Sequence, residues 1–273
     1  MQNALETISF NGQILPRAEL TNCQTTRCTI IYEVVRLING IPLFWEGHWA
    51  RLQNNLNAIH SKIRLDKTDF EQKLAKFIRK NKLVDTNIRF EVFGENVLYY
   101  AIPVNYPTPL NYQQGVSLNF IEAIREHPTR KILRRKWKTS MESKINRAGV
   151  YESLMLNNEG IITEGTHTNV FFIKGKTLFS AAEELILPGI TRLEVLNIAK
   201  QEALLEEYTN LNPETISTYD AAFLCATSLH ILPIKNINET VFDVNNAVLR
   251  TMMQAFLDHI EENIKSESFK WLQ

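Results

Sequence analysis

The residues best suited to chemistry concentrate between Val150 and Arg192. Glu164 stands at a strand bend between Thr163 and Gly165. A carboxylate held there is able to keep a proton on a heteroaromatic ring nitrogen. Leu187-Pro188-Gly189-Ile190-Thr191 opens a helix. The free N–H groups and the dipole of such a helix start favour an anion, phosphate above all. An acid at one end of the segment and a Gly-Ile-Thr helix start at the other suit the two ends of a flat anionic ligand. Three further positions suit the same ligand. Arg51, at the edge of a helix stripe, offers bidentate donation to a phosphate. Thr227-Ser228 ends an apolar strand and presents hydroxyls. Tyr32 alternates with apolar neighbours in IIYEVVRLI and is placed to aim its hydroxyl into a site. Each also has an ordinary structural reading. Glu164 then becomes a surface turn residue, Arg51 a solvated helix arginine, Thr227-Ser228 a simple turn and Tyr32 a core tyrosine. The Gly-Ile-Thr start becomes a capped helix, with Thr191 and Glu194 as its capping box.

These residues need elements to position them. Asn11-Gly12 and Asn39-Gly40 are positive-φ turn pairs, so Ile8 to Leu15 reads as a hairpin and Ile30 to Ile38 as a strand returning through Ile41 to Trp45. Pro16 to Cys28 reads as irregular. The apolar spacing of Leu52, Leu56 and Ile59 predicts a helix over 46–59, and that of Phe70, Leu74 and Phe77 one over 66–82. A hairpin follows around Gly94. Pro103 to Gln114 is the polar, Pro-rich linker candidate. Beyond it come a strand over 116–121, the basic run Arg130 to Lys138 leading into a helix that ends at Ala148-Gly149, a strand over 151–156, a partner strand opened by Ile161 and Ile162, and a strand over 169–173. A helix over 191–205, a buried strand over 221–226 and an amphipathic helix over 245–264 complete the chain. Hairpins with segregated helices make this an α+β fold. The expected division is residues 1–108, a linker over 109–114, and 115–273.

Composition excludes several classes. Lys+Arg and Asp+Glu are both 30, so no basic excess points to nucleic acid or to a membrane surface. The three cysteines, Cys23, Cys28 and Cys225, suit a reducing compartment. The start, MQNALETISFNG, lacks the basic and apolar regions of a signal peptide, so a cytoplasmic protein is expected. His48 and His167 have no partners at metal-ligand spacing, and no metal is expected. No G-x-G-x-x-G, Walker A or G-x-S-x-G sequence is present.

The order of the pieces resembles the fold-type IV pyridoxal-phosphate enzymes: branched-chain aminotransferases, D-amino-acid aminotransferases and aminodeoxychorismate lyases. The matching pieces are Tyr32-Glu33-Val34, His48-Trp49-Ala50-Arg51-Leu52, Tyr151-Glu152-Ser153-Leu154, Thr163-Glu164-Gly165 through Asn169-Val170-Phe171, Leu187 through Arg192, and Phe223 to Pro233. The resemblance implies a smaller N-terminal α/β domain and a larger C-terminal pseudo-barrel domain with pyridoxal 5′-phosphate between them, and a homodimer. It makes Arg51, the Ile190 and Thr191 N–H groups and Thr227 the phosphate cradle, and Glu164 the partner of the pyridine nitrogen. Tyr32, Ser228 and Leu229 fall near the substrate carboxylate. It further implies a Schiff-base lysine roughly twenty residues before the Tyr-Glu strand start. Counting back from Tyr151 gives Lys131, with Lys138 and Lys136 of the same basic run as alternatives.

The chain departs from the family pattern in four places. Cys28-Thr29-Ile30-Ile31 replaces a Gly-rich loop, Arg134 stands where an Asn is usual, His167 replaces a small residue, and no His-x-Arg pair occurs around Tyr99 to Tyr106. The implied function is an aminotransferase that moves an amino group from an amino acid to a 2-oxo acid. The alternatives are an aminodeoxychorismate lyase releasing pyruvate and 4-aminobenzoate, and a cofactor-binding relative without turnover.

Overall fold

The computed structural model describes residues 6–23, 28–104 and 106–272. Residues 24–27 of the stretch read as irregular, Asn105 of the linker candidate and residues 1–5 of the N-terminus lie outside the described residues. The chain divides into two compact units. The first holds residues 1–105, 131–133 and 260–273, and the second holds residues 106–130 and 134–259.

The first unit contains β1 (Thr7–Phe10), β2 (Gln13–Pro16), α1 (Leu20–Cys23), β3 (Ile31–Ile38), β4 (Ile41–Pro42), α2 (Trp45–Ala58), α3 (Lys67–Lys80), β5 (Thr86–Phe93) and β6 (Asn96–Ile102). Its six strands form an antiparallel sheet in the order β2-β1-β6-β5-β3-β4. Both Asn-Gly pairs adopt positive φ at both residues, 49° and 83° at Asn11-Gly12 and 54° and 78° at Asn39-Gly40. That twist matches the flanking strands, which is why these hairpins close tightly. Along β3 every second residue is buried, from Ile31 and Glu33 to Val35 and Leu37. Glu33 therefore occupies the buried phase of an otherwise apolar face. Helix α2 buries His48, Arg51 and Asn55 together with Trp45, Leu52 and Leu56. Its inward stripe is half polar, and Arg51 lies within it and not on a solvated edge. Aromatic rings fill the core: Phe90 packs 6.0 Å from Trp45, 5.4 Å from Phe70 and 5.8 Å from Tyr99. Residues 131–133 lie antiparallel to the start of β3, through Tyr32 N–H to Lys131 O at 3.1 Å and Leu133 N–H to Ile30 O at 2.9 Å.

The second unit contains α4 (Pro109–Gln114), β7 (Val116–Glu122), α5 (Arg135–Ala148), β8 (Glu152–Leu156), β9 (Ile162–Gly165), β10 (Asn169–Lys174), β11 (Thr177–Ser180), α6 (Ile190–Gln201), β12 (Leu205–Tyr208), β13 (Ala221–Ala226), β14 (His230–Ile237), β15 (Thr240–Val241) and the start of α7 (Ala247–Leu272). Its sheet runs β12-β11-β10-β13-β14-β7-β8-β9, with β15 on β14. Three neighbouring pairs, β11-β12, β14-β7 and β7-β8, are parallel, and the rest are antiparallel. Leu154, Phe172, Leu224, Leu232 and Ile237 are fully buried in its core.

The α+β expectation holds, and several boundaries move. Residues 109–114 form α4, because Thr108 and Asn111 make a capping box and Pro109 opens the first turn. Helix α6 ends at Gln201, since Leu205–Tyr208 leaves as a strand to pair with β11. The stretch after Pro16 carries a 3₁₀ turn, Arg17–Glu19, and α1. β4 is only two residues long, and α7 reaches Leu272. Among the described residues, no helix is long and apolar enough to cross a membrane.

Removing the Phe90 ring leaves a cavity among three other rings. Phe90→Ala is expected to lower stability by about 3–5 kcal/mol, measured by urea unfolding followed through tryptophan fluorescence. A loss below about 1 kcal/mol would show that the core does not depend on the Phe90 ring.

Candidate functional site

In the first unit, one buried acid organises the polar stripe of α2. Glu33, 1% exposed, accepts from Arg51 Nε at Oε1 and from Arg51 Nη2 at Oε2, each at 2.7 Å. His48 Nδ1 lies 2.8 Å from the same Oε2. Burial alone pushes Glu33 up, but the Arg51 charge and the hydrogen bonds from Arg51 and His48 outweigh it, so the carboxyl stays far below its ordinary value. Burial pushes His48 down, and the Arg51 and Lys131 charges add to that against the pull of Glu33. The imidazole is therefore held toward its neutral form. Asn55 continues the chain of bonds, donating from Nδ2 to Arg51 O at 2.7 Å and accepting Lys131 N–H at 2.8 Å.

Lys131 and Tyr32 meet in this unit. Lys131 Nζ stands 4.9 Å over the Tyr32 ring, and the Arg89 guanidinium stands 4.7 Å from the same ring. Arg89 is 8% exposed, donates from Nε to Glu91 Oε1 at 2.8 Å, and has a buried Nη2 with no hydrogen-bond partner among the described residues. Tyr100 OH donates to the same Glu91 oxygen at 2.8 Å. The other two lysines of the basic run belong to the second unit. Lys136 is exposed on α5, and Lys138 lies 3.6 Å from Glu142 one turn along.

In the second unit Glu164 is 2% exposed on β9. Its Oε2 accepts from Asn169 Nδ2 at 3.0 Å and from Leu187 N–H at 3.1 Å. Its Oε1 is 3.2 Å from Arg125 Nε. Asn169 Nδ2 also donates to Leu187 O at 3.0 Å. One asparagine amide thus ties the acid to the Leu-Pro-Gly loop. Gly165 and Gly189 serve this closeness, since a Cβ on Gly165 would collide with Thr168 Oγ1 and one on Gly189 with Asn169 Oδ1. Gly189 has φ −65° and ψ 138°, so its glycine is required for close approach and not for a left-handed turn.

Gly189 is also the N-cap of α6, and no side chain caps that end. Thr191 lies inside the first turn, so it makes no capping box with Glu194. Glu194 instead bonds His259 Nε2 at 2.9 Å. Ile190 and Thr191 are both buried. Thr227, Ser228 and Leu229 form the turn from β13 to β14. Tyr106 OH donates to Thr227 O at 2.9 Å, and Tyr112 OH to Leu229 O at 3.2 Å.

Sequence reading does not single out Glu33, Arg89, Arg125 or Asn169 for roles. Glu33 had a usable signal, a charge in the buried phase of an alternating strand. Arg89 and Arg125 had none, because nothing local distinguishes a buried or half-buried arginine from a solvated one.

The family model described as Amino-transferase class IV matches residues 30–237. The chain belongs to the class IV aminotransferase family. The D-alanine aminotransferase of Bacillus licheniformis is 24% identical over 251 residues, which cover 85% of this chain and 88% of that protein. Two solved structures share the fold of this aminotransferase. The branched-chain amino acid aminotransferase from Escherichia coli matches with a TM-score of 0.80 at 21% identity, covering 94% of each chain. The T.th. branched-chain amino acid aminotransferase, solved with pyridoxamine 5′-phosphate, matches with a TM-score of 0.83 at 19% identity, covering 95% of each chain.

The Asn169 link yields a direct check. Gly189→Ala is expected to push Asn169 aside and cost about 1–3 kcal/mol, measured by denaturant unfolding. Gly175→Ala serves as a comparison, because open space surrounds it and only its positive φ of 57° is strained. A Gly189 variant no less stable than wild type would remove the close-approach argument.

Proposed function

We propose that this class IV aminotransferase is a pyridoxal-phosphate enzyme that moves the amino group of an amino acid to a 2-oxo acid. The observation that carries the reading is the seating of Lys131. Of the three candidate lysines it alone lies over Tyr32, with its own N–H and C=O both tied to neighbouring groups. Such fixation is what a lysine needs if it is to carry a cofactor and then move a proton at a defined atom.

The residues present fit that cofactor. Glu164 is a buried carboxylate whose Oε2 is oriented by two N–H donors, the setting of an acceptor for a protonated ring nitrogen. The uncapped start of α6 suits a phosphate dianion, and Arg51 is a buried guanidinium of fixed orientation. In this reading Arg51, the Ile190 and Thr191 N–H groups and Thr227 hold the phosphate, and Glu164 holds the ring nitrogen.

Pyridoxal phosphate supplies, when bound, an aldehyde that bonds amines and a ring that accepts the electron pair of a broken Cα–H bond. Lys131 Nζ would take the Cα proton from the amino donor in the first half of the transfer and, in the second half, deliver a proton to Cα of the 2-oxo acceptor. Glu164 keeps the ring nitrogen protonated. Tyr32, Ser228 and Leu229 line the substrate side, and Arg89 Nη2, without a hydrogen-bond partner among the described residues, supplies positive charge for a carboxylate.

Borohydride reduction of the yellow holoenzyme followed by peptide mapping is expected to place the adduct on Lys131. Lys131→Ala is expected to lose the adduct and slow the half-reactions with D-alanine, L-glutamate and L-leucine by about a hundredfold or more. An adduct on Lys138 or Lys136 overturns the lysine assignment. Wild-type silence with all three amino acids, together with pyruvate formed from aminodeoxychorismate, overturns the transaminase reading in favour of a lyase. The reading extends to a homodimer, on the family resemblance, and sedimentation equilibrium at twice the chain mass is expected. A single-chain mass would reject that part.

A further inference from the structure

Arg51 is not an isolated cation. Its Nε and Nη2 both bond Glu33, so one whole edge of the guanidinium is committed side-on to one carboxylate. Side-on pairing fixes the plane of an arginine as well as its position. The pair is buried, with Arg51 at 7% and Glu33 at 1% exposure. His48, one turn before Arg51 on α2, holds the same carboxylate from a second direction. Glu33 sits on β3 immediately after Tyr32, whose ring carries Lys131. A surface ion pair would leave Arg51 free to swing among rotamers, whereas this one does not.

The arrangement also has a cost. A buried carboxylate beside Arg51 offsets the positive charge that a phosphate would feel there. Electrostatics alone would favour an apolar residue or an amide in place of Glu33. The acid makes sense if direction matters more at this position than net charge.

We infer that Glu33, braced by His48, is a positioning residue that orients Arg51 toward the cofactor phosphate and so sets the preference for phosphorylated over unphosphorylated cofactor. The inference rests on the reading of Arg51 as a phosphate ligand. Glu33 itself touches neither substrate nor cofactor in this assignment.

The test compares two probes on the apoprotein, pyridoxal phosphate and pyridoxal, which share ring and aldehyde and differ only in the phosphate. Binding is read by absorbance and tryptophan quenching, with no turnover needed. Glu33→Gln is expected to weaken pyridoxal phosphate by about tenfold or more while leaving pyridoxal within about twofold, as loss of a supporting partner does to a ligand group. Equal weakening of both probes would show a general structural role and overturn the inference, as would no weakening of either. Arg51→Ala separates the two claims. If it leaves the ratio of the two affinities unchanged, Arg51 is not a phosphate ligand and the reading beneath the inference fails. If it lowers the ratio while Glu33→Gln does not, only the inference fails. Should Glu33→Gln not fold, Glu33→Asp keeps the charge on a shorter arm that cannot reach both nitrogens. A several-fold drop in the ratio is expected there, and a wild-type ratio overturns the inference.

Discussion

The second unit depends on one side-chain amide. Asn169 donates from a single nitrogen to Glu164 Oε2 and to Leu187 O, and its oxygen leaves no room for a Cβ on Gly189. A carboxylate as buried as Glu164 is costly unless it is bonded. Asn169 and the Leu187 N–H meet that requirement at one oxygen, and Arg125 stands beside the other. The strand bend at Glu164, the start of β10 and the loop before α6 are therefore one object. That connection gives a physical reason for the spacing of E-G-x-x-x-N-x-F and L-P-G-I-T-R. Neither glycine in those pieces has positive φ, so both are there to let polar side chains approach the backbone.

The first unit treats its buried acid differently. Glu33 has full cationic pairing from Arg51 and a second bond from His48, where Glu164 has neutral N–H donors at one oxygen. Pairing with a guanidinium locks charge into a fixed geometry, and breaking such a pair is far more disruptive than its net contribution suggests. The two acids are thus held in two ways, Glu33 by charged and polar partners at both oxygens, and Glu164 by neutral donors at one oxygen with the Arg125 guanidinium beside the other.

Much of this was legible in the sequence, for identifiable reasons. Asn11-Gly12 and Asn39-Gly40 dictate their hairpins through backbone sterics alone, and Ala221–Ala226 stands out as a continuous apolar run. The motif pieces marked Glu164, Arg51 and the α6 start. Hidden were the features that depend on distant partners. β11 and β12 pair in parallel, and neither Thr177–Ser180 nor Leu205–Tyr208 is periodic enough to declare itself. The capping-box pattern at Thr191 and Glu194 is a true local signal, overridden because Gly189 already begins the helix and His259 engages the glutamate. Arg51 looked like an edge residue because the stripe it joins is made of His48 and Asn55, which a hydrophobic pattern does not count.

Two of the departures from the family pattern, Arg134 and His167, find partners in the fold. Arg134 sits just before α5, 3.5 Å from Glu126, so a long side chain replaces a short one at a helix boundary where it has room. His167 places Nδ1 2.8 Å from Thr166 Oγ1, and its N–H donates to Glu152 Oε2 at 3.1 Å. Glu152 is another buried acid, accepting Thr166 OH at 2.7 Å and Ser153 N–H at 2.8 Å. Burial pushes its carboxyl up, and the His167, Thr166 and Ser153 interactions outweigh that and bring it below its ordinary value. A small residue in place of His167 would keep the backbone bond and lose the ring. His167 therefore adds one more support to the buried carboxylate of Glu152.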